Sequence, residues 1–236
     1  MTNNTTYQAQ EIQSIFNNIA PVYDQLNDQL SLGLHKIWKK MTVKWCEPQA
    51  NYIGLDLCCG SGDLTFLLAQ NLTHGVVYGV DFSPELLTIA RQKNQQKSLT
   101  CEINWVEGDV LNLPFEDNFF DCATMGYGLR NVVNISRCLQ ELYRVMKPQA
   151  KAAILDFHRP ENSLLNNWQK WYLNNIVVPT AAKLGVKDEY AYINPSLDRF
   201  PTGREQVKLA QDVGFRQVVH YPIFGGTMGV LVITKM

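Results

Sequence analysis

Residues Leu55 to Asp63 read Leu-Asp-Leu-Cys-Cys-Gly-Ser-Gly-Asp, and no other stretch restricts the fold of this chain so tightly. The run from Tyr52 to Leu57 predicts a strand, and Leu64 to Gln70 predicts a helix with Leu and Phe on its buried side. Between them Gly60 and Gly62 form a Gly-x-Gly turn, where backbone can approach a ligand closely and helix N–H groups point towards it. A strand, a glycine turn and a helix in that order open a βαβ unit.

Alternation continues. Strands are predicted at Val76 to Val80, Glu102 to Glu107, Phe120 to Met125 and Ala152 to Phe157, and helices at Glu85 to Gln95 and Ile135 to Met146. Ser83 is the expected N-cap of the first of these helices, with Pro84 at its first position, and Pro148 is the expected stop of the second. This pattern implies an α/β fold of parallel strands with helices on both faces of the sheet. Residues Ser163 to Tyr192 interrupt it with a mainly helical insertion, after which come a helix at Glu205 to Asp212 and strands at Gln217 to Tyr221 and Gly229 to Thr234. The short link between the last two makes them antiparallel. Ahead of the core, Ile12, Ile15, Phe16 and Ile19 recur at helical spacing, and a second helix is expected over Lys36 to Trp45. The whole reads as one domain, 1–236, in four parts: an N-terminal helical lid (1–50), a cofactor-binding core (51–160), the helical insertion (161–200) and a closing helix and strand pair (201–236).

The ligand expected at the turn follows from two acids. Asp81 ends the second strand about twenty residues beyond the glycines, where a carboxylate accepts from both hydroxyls of a ribose. Asp109 follows the third strand, where a second acid can receive the exocyclic amine of adenine. Either acid alone is ordinarily a loop cap or a solvated charge; with the glycine turn, in this order and spacing, they fit adenosine. The third glycine of a dinucleotide fingerprint is replaced by Thr65, so room for a pyrophosphate is not indicated, which argues against NAD.

Bulk properties exclude other classes. A net charge of −1 with interspersed signs gives no basic footprint for nucleic acid. The longest apolar run, near Asn175 to Ala182, is broken by Pro179 and falls far short of the roughly 20 residues that cross a bilayer. The N-terminus lacks the basic start and apolar core of a signal peptide, so a cytoplasmic location is expected. Cys46, Cys58, Cys59, Cys101, Cys122 and Cys138 show no zinc spacing and read as buried free thiols, and no metal site is expected.

The pattern over Tyr52 to Phe157 resembles the class I S-adenosylmethionine-dependent methyltransferases. The resemblance implies a Rossmann-like, seven-stranded, mostly parallel sheet with the last strand antiparallel. It also implies S-adenosylmethionine contacts from Asp56, Gly60, Ser61, Gly62, Asp81, Phe82, Asp109, Val110 and Gly126. Two further segments narrow it. The stretch from Tyr23 through Asp24, Gln25, Leu26, Asn27, Asp28, Gln29, Leu30, Ser31, Leu32, Gly33, Leu34, His35, Lys36 and Ile37 to Trp38 is similar to a signature of the ubiquinone and menaquinone biosynthesis C-methyltransferases, with Leu26 where Met is usual. Tyr127-Gly128-Leu129-Arg130-Asn131-Val132 is similar to that family's Phe-Gly-Leu-Arg-Asn-Val segment. Arg144 to Pro148 also matches, but Gln149 and Ala150 stand where the family has two glycines, and Asp156-Phe157-His158 stands where the respiratory enzymes tend to have Glu-Phe-Ser. Those departures look like the phylloquinone branch, whose acceptor is a phytylated naphthoquinone.

What this resemblance implies is methyl transfer to a quinol carbon. A quinone ring is too electron-poor to attack, whereas its quinol has a hydroxyl of pKa about 10 whose loss pushes density onto the ring. Arg130 is expected to stabilise the developing phenolate, Asn131 to orient the hydroxyl or a water, and His158 stands as a further candidate base. Tyr23, His35, Tyr127 and Arg130 are the expected acceptor contacts. Each has a plainer reading, as a packing or salt-bridge residue. The insertion, with Leu164, Leu165, Trp168, Trp171, Tyr172, Ile176, Val177 and Val178, would line a prenyl tunnel, rest on a bilayer, or form a homodimer contact. Competing expectations are a demethylmenaquinol or ubiquinone-precursor methyltransferase, an NAD-dependent oxidoreductase, and a noncatalytic adenosyl-binding subunit.

Overall fold

A computed structural model describes residues 2–31 and 33–236; Leu32 of the N-terminal signature lies outside the described residues. Three helices come first: α1 (Thr2–Ile19), α2 (Tyr23–Ser31) and α3 (Leu34–Trp45). The core then runs β1 (Ile53–Leu57), α4 (Asp63–Ala69), β2 (Val76–Asp81), α5 (Pro84–Gln95), β3 (Glu102–Glu107), β4 (Phe120–Gly126), α6 (Ile135–Val145) and β5 (Met146–Phe157). The insertion supplies α7 (Ser163–Tyr172), α8 (Val178–Lys183), α9 (Lys187–Ala191) and α10 (Ile193–Arg199). The chain closes with α11 (Gly203–Val213), β6 (Gln217–Ile223) and β7 (Met228–Thr234).

The seven strands form one sheet in the order β3-β2-β1-β4-β5-β7-β6. All neighbours are parallel except at β7, which runs antiparallel to both β5 and β6, so the expected α/β sheet with one reversed strand is present. Chain order reverses between β1 and β4, and Leu57 pairs with both Val80 and Met125, so the carboxyl ends of three strands meet at one crevice. Open α/β sheets bind ligands at that switch point. Alternation along the strands sends Leu55, Leu57, Met125 and Ile154 to a core shared with α6 and α11, where Leu139, Leu142 and Phe215 are also buried. Val77, Cys122, Ala153 and Leu155 face the opposite side, against Leu64 and Leu68 of α4 and Val43 of α3. Each Leu, Ile, Val, Met or Phe among them, withdrawn from water, contributes about 1.5–3 kcal/mol, which holds the crevice on a rigid base.

Local chemistry explains several boundaries. Ser83 caps α5 by accepting from the Leu86 N–H, with Pro84 at the first position as expected. The expected stop of α6 at Pro148 is corrected: the helix ends at Val145, and Met146 turns at once into β5 opposite Phe120. Pro148 lies in the register shift between the Phe120–Met146 and Cys122–Lys151 pairs, where no ladder needs its missing N–H. In the insertion a π-helical turn, Leu173–Val177, directly precedes α8, whose second residue is Pro179, and the ring and absent donor of that proline disturb the regular ladder. All six cysteines are free; five are buried and Cys58 is partly so. Among the described residues no helix is long and apolar enough to cross a membrane.

The N-terminal helices cover the crevice. Gln13 donates to the carbonyl of Phe82, and the Ser83 hydroxyl donates to Asn17 at 2.6 Å, both of which tie α1 to the end of β2. Asp24 of α2 accepts from Ser61 at 2.5 Å and from Lys93 at 2.9 Å. Asp63 accepts from Lys93 at 3.0 Å and from the buried Lys39 of α3 at 2.8 Å, and these two cations hold its carboxyl well below the usual range despite burial. Ile19 and Leu26 pack with Leu173, Val177, Tyr190 and Ile193, so lid and insertion share one apolar cluster.

Candidate active site

Two adjoining cavities open at the switch point. The first, about 270 Å³, lies over the glycine turn. Gly60 has φ +54°, and a side chain there would project beneath Tyr23, whose Cε1 stands 3.7 Å from the place a Cβ would occupy. Glycine therefore permits the turn and keeps the cavity floor clear. Asp81, at the end of β2, is 3% exposed and accepts from the Gly60 N–H at 2.8 Å and the Ser83 N–H at 2.9 Å. Burial outweighs its backbone donors and pushes its pKa up to about 6; a carboxylate has about four acceptor sites, so capacity is left for a ligand. Across the cavity Asp109 turns its own loop by accepting from the Leu111 N–H at 2.9 Å.

Of the nine positions named for the donor, Gly60, Asp81, Phe82, Asp109, Val110 and Gly126 line this cavity. The other three do not. Asp56 is fully buried under the turn, accepting from Thr65 at 2.6 Å and Thr124 at 2.9 Å, and burial pushes its pKa up to about 7. It clamps α4 to β1 and β4. Ser61 points to Asp24 and Lys93, and Gly62 is required by packing, since a Cβ there would meet Trp105 at 2.6 Å. Sequence reading missed the cover supplied by Gln13 and Phe16 of α1, although the apolar periodicity of that helix was visible.

The second cavity, about 380 Å³, lies between the N-terminal helices and the insertion. Phe157, Trp168, Tyr172, Tyr190 and Phe224 make it largely aromatic, and Phe16, Tyr23, Tyr127 and Asn131 border both cavities. All four expected acceptor contacts, Tyr23, His35, Tyr127 and Arg130, are among its walls. Burial raises the pKa of Tyr23, Tyr127 and Tyr190 well above the ordinary phenol value, so their hydroxyls stay protonated donors.

Arg130 is fixed at the boundary. Its backbone N–H donates to Asp156 Oδ2 at 3.0 Å, its Nη1 donates to the Tyr127 carbonyl at 2.9 Å, and Nε lies 3.7 Å from Asp156 Oδ1. The guanidinium also sits over the Phe157 ring, 5.4 Å from its centre. Asn131 donates to the same Tyr127 carbonyl at 3.1 Å, leaving its buried Oδ1 without a partner. Tyr127 holds φ +61°, a left-handed conformation that costs a non-glycine residue about 1–2 kcal/mol and aims this carbonyl at both side chains.

His158 is brought elsewhere, which corrects its place as a candidate base. It is 6% exposed, borders neither cavity, and lies with Nε2 3.1 Å from His220 Nε2 and 3.4 Å from Gln206 Nε2. Burial, with His220 beside it, pulls its pKa down to about 3, so it serves as a neutral link between the end of β5 and the middle of β6.

This arrangement, a narrow cavity with two acids beside a wide aromatic one, can hold a nucleoside donor against a hydrophobic acceptor. Known proteins agree on the fold. A SAM-dependent methyltransferase from Aquifex aeolicus superposes with TM-score 0.62 at 19% identity, covering 84% of this chain and 89% of that one. A possible histamine N-methyltransferase from Thermotoga maritima gives 0.65 at 20%, covering 95% and 100%. Relatives by sequence are far nearer. The 2-phytyl-1,4-naphtoquinone methyltransferase of Nostoc punctiforme is 63% identical over 226 residues, 95% of this chain and 98% of that protein. The chloroplastic 2-phytyl-1,4-beta-naphthoquinone methyltransferase of Arabidopsis thaliana is 48% identical over 225 residues, 94% and 86%. The model of the ubiE/COQ5 methyltransferase family matches residues 4–235, and the chain belongs to that family.

Proposed function

We propose that this chain transfers a methyl group from S-adenosylmethionine to the ring carbon of a demethylated phytyl naphthoquinol. One observation carries the reading: the adenosine-sized cavity and the aromatic cavity adjoin at Tyr23, Tyr127 and Asn131, the place where donor and acceptor would meet. The names of the relatives support the choice of acceptor.

The residues fit the donor. Asp81 retains acceptor capacity for a ribose diol, Asp109 faces it from the next loop, and Phe82 and Val110 supply apolar walls for a base. Bound there, S-adenosylmethionine supplies a methyl group already activated on a positive sulfur, so the protein's task is placement and a carbon nucleophile. Arg130 presents a fixed positive charge to the phenolate that develops on the ring hydroxyl, held by Asp156 so that little reorganisation is needed. Asn131 orients that hydroxyl, or a water on it, through its unpartnered Oδ1. Tyr23 and Tyr127 stay neutral and exclude water from the junction.

The test mixes the protein with methyl-labelled S-adenosylmethionine and reduced demethylated phytyl naphthoquinone and follows label into the lipid extract. Transfer to the quinol and not to the oxidised quinone is expected. Label that stays in the aqueous phase, or tight nicotinamide binding, would overturn the reading. Competition between phytyl and polyprenyl acceptors ranks the tails.

A membrane reading has its own support. On α7 Leu164 is 77% exposed and Trp171 53%, and Trp168 of the same helix lines the aromatic cavity together with Phe224, itself 53% exposed. A prenyl acceptor is barely soluble, so this apolar rim would rest on the lipid that holds it. Flotation with phosphatidylcholine vesicles checks this: Trp171→Ser with Leu164→Ser is expected to abolish co-flotation, and absence of wild-type flotation would refute it.

A further inference from the structure

Resting on that acceptor reading, we propose that Asp28 and His35 form the dyad that takes the quinol proton, with His35 Nδ1 as the acceptor. Asp28 lies on α2 and His35 on the first turn of α3, seven residues apart, and the two helices bring Asp28 Oδ1 to 2.8 Å from His35 Nε2. A carboxylate only accepts, so Nε2 carries the hydrogen and the neutral ring keeps its lone pair on Nδ1. That Nδ1 is buried without any hydrogen-bond partner in a residue only 3% exposed, and the residue is part of the wall of the aromatic cavity. A buried imidazole nitrogen with no partner calls for an explanation, and a ligand hydroxyl in that cavity supplies one. Ser31 Oγ accepts the His35 backbone N–H at 3.3 Å, which further fixes the ring's helix at the lid.

The charges around the ring suit the role. Asp28 is paired also with Lys36 at 2.7 Å, and hydrogen bonds from Lys36 and His35 hold its carboxyl below the usual range. For His35, burial lowers its pKa, Asp28 raises it, Lys39 on the same helix lowers it and Asp63 of α4 raises it; burial prevails, so the ring is neutral near pH 7 and ready to accept. Once protonated at Nδ1, the imidazolium is stabilised by Asp28 across the Nε2–H bond, as an orienting carboxylate does in other proton-transfer dyads.

The step balances. The ring O–H bond breaks and its proton goes to Nδ1 as electron density moves to the adjacent unsubstituted carbon. That carbon bonds to the methyl group while the methyl–sulfur bond breaks, leaving a neutral thioether and a ring ketone. Loss of the C–H proton and return of one proton to oxygen restore the aromatic quinol, with one net proton released. An acceptor hydroxyl near pKa 10 is a weak acid for imidazole, so the dyad acts together with the charge of Arg130 on the same cavity wall.

Anaerobic steady-state assays with reduced acceptor, run from about pH 6 to 10, test this. His35→Asn is expected to lower kcat at pH 7 by about 10²–10⁴-fold, with affinity for S-adenosylhomocysteine within about twofold. Its remaining rate should climb about tenfold per pH unit as the acceptor ionises by itself, whereas the wild type levels off once His35 is neutral. Asp28→Asn, at a half-exposed position, should lower kcat in the same direction by misplacing the ring proton. A His35→Asn rate within about threefold of wild type, or a loss equal at every pH, overturns the dyad. Should His35→Asn fail to fold, an Asp28→Asn enzyme with wild-type kcat and pH break overturns it equally. Absence of turnover by the wild type removes the acceptor reading and the dyad together; normal wild-type turnover with indifferent variants removes the dyad alone.

Discussion

Substituting Asp81 by Asn separates what this carboxylate does for the fold from what it does for the donor. In the ligand-free protein its pKa is raised from 3.8 to about 6, chiefly by burial. At about 1.4 kcal/mol per unit, keeping it ionised above pH 6 costs the folded state about 3 kcal/mol, a cost that fades as pH falls towards 4. Asn removes that cost but leaves one of the two amide donors, Gly60 N–H or Ser83 N–H, without its acceptor, at about 1–3 kcal/mol. The two nearly cancel, so the ligand-free melting temperature should move by no more than a few degrees. Donor affinity should not escape. Two ribose hydroxyls bound to a carboxylate are worth about 1.5 kcal/mol each, so losing the charge weakens binding by about 3 kcal/mol, roughly 100-fold. Linkage adds a second signature: binding that requires the ionised form weakens about tenfold per unit below pH 6 in the wild type and is flat in Asp81→Asn. Calorimetric titration with S-adenosylhomocysteine at several pH values reads both. An affinity within about threefold of wild type, with the same pH dependence, would mean that Asp81 does not hold the ribose.

Arg130→Ala should lower kcat with reduced acceptor by about 10²-fold or more while donor affinity holds, and should reduce stability by about 3 kcal/mol because Asp156 is left buried without its cation; steady-state assays and urea titration measure the two effects. Gln149, at φ +70°, bears about 1–2 kcal/mol of left-handed strain, and Gln149→Gly removes it against about 0.5–1 kcal/mol of added chain entropy. A gain of about 0.5–1 kcal/mol in urea unfolding, without change in kcat, is expected. For His158, the folded pKa of about 3 lies below the ordinary 6.5, so the unfolded chain binds the extra proton and stability is lost as pH falls from 6.5. Between about pH 7 and 5 the wild type should lose about 2 kcal/mol more than His158→Gln, and parallel slopes would contradict this burial argument.

What the sequence made legible was whatever depends on neighbours along the chain. The glycine turn, the strand end at Asp81 and the Ser83-Pro84 helix start are local patterns, and each stands where expected. What it hid depends on distant partners. Asp56 was named with the donor on the family resemblance, whereas its partner Thr124, 68 residues away, could not be seen. His158 was weighed as a base because its partner His220, 62 residues away, could not be seen. Helix α2 escaped notice because Tyr23–Ser31 is mostly polar; what secures it is tertiary, Leu26 fully buried in the insertion cluster and Asp24 bonded to Ser61 and Lys93. Asp28 and His35 were both in view within the signature segment, yet only the angle between two helices makes them a pair.

On the proposed function, donor and acceptor occupy adjoining cavities and face one another at Tyr23, Tyr127 and Asn131. A crystal structure with S-adenosylhomocysteine and a demethylated naphthoquinone tests it most directly. The ribose should lie on Asp81, the ring beside Arg130, and the thioether sulfur within about 5 Å of the unsubstituted ring carbon, room for one methyl group in a near-attack geometry. A thioether bound away from Asp81, or a ring turned so that its open carbon faces the insertion, would contradict the account.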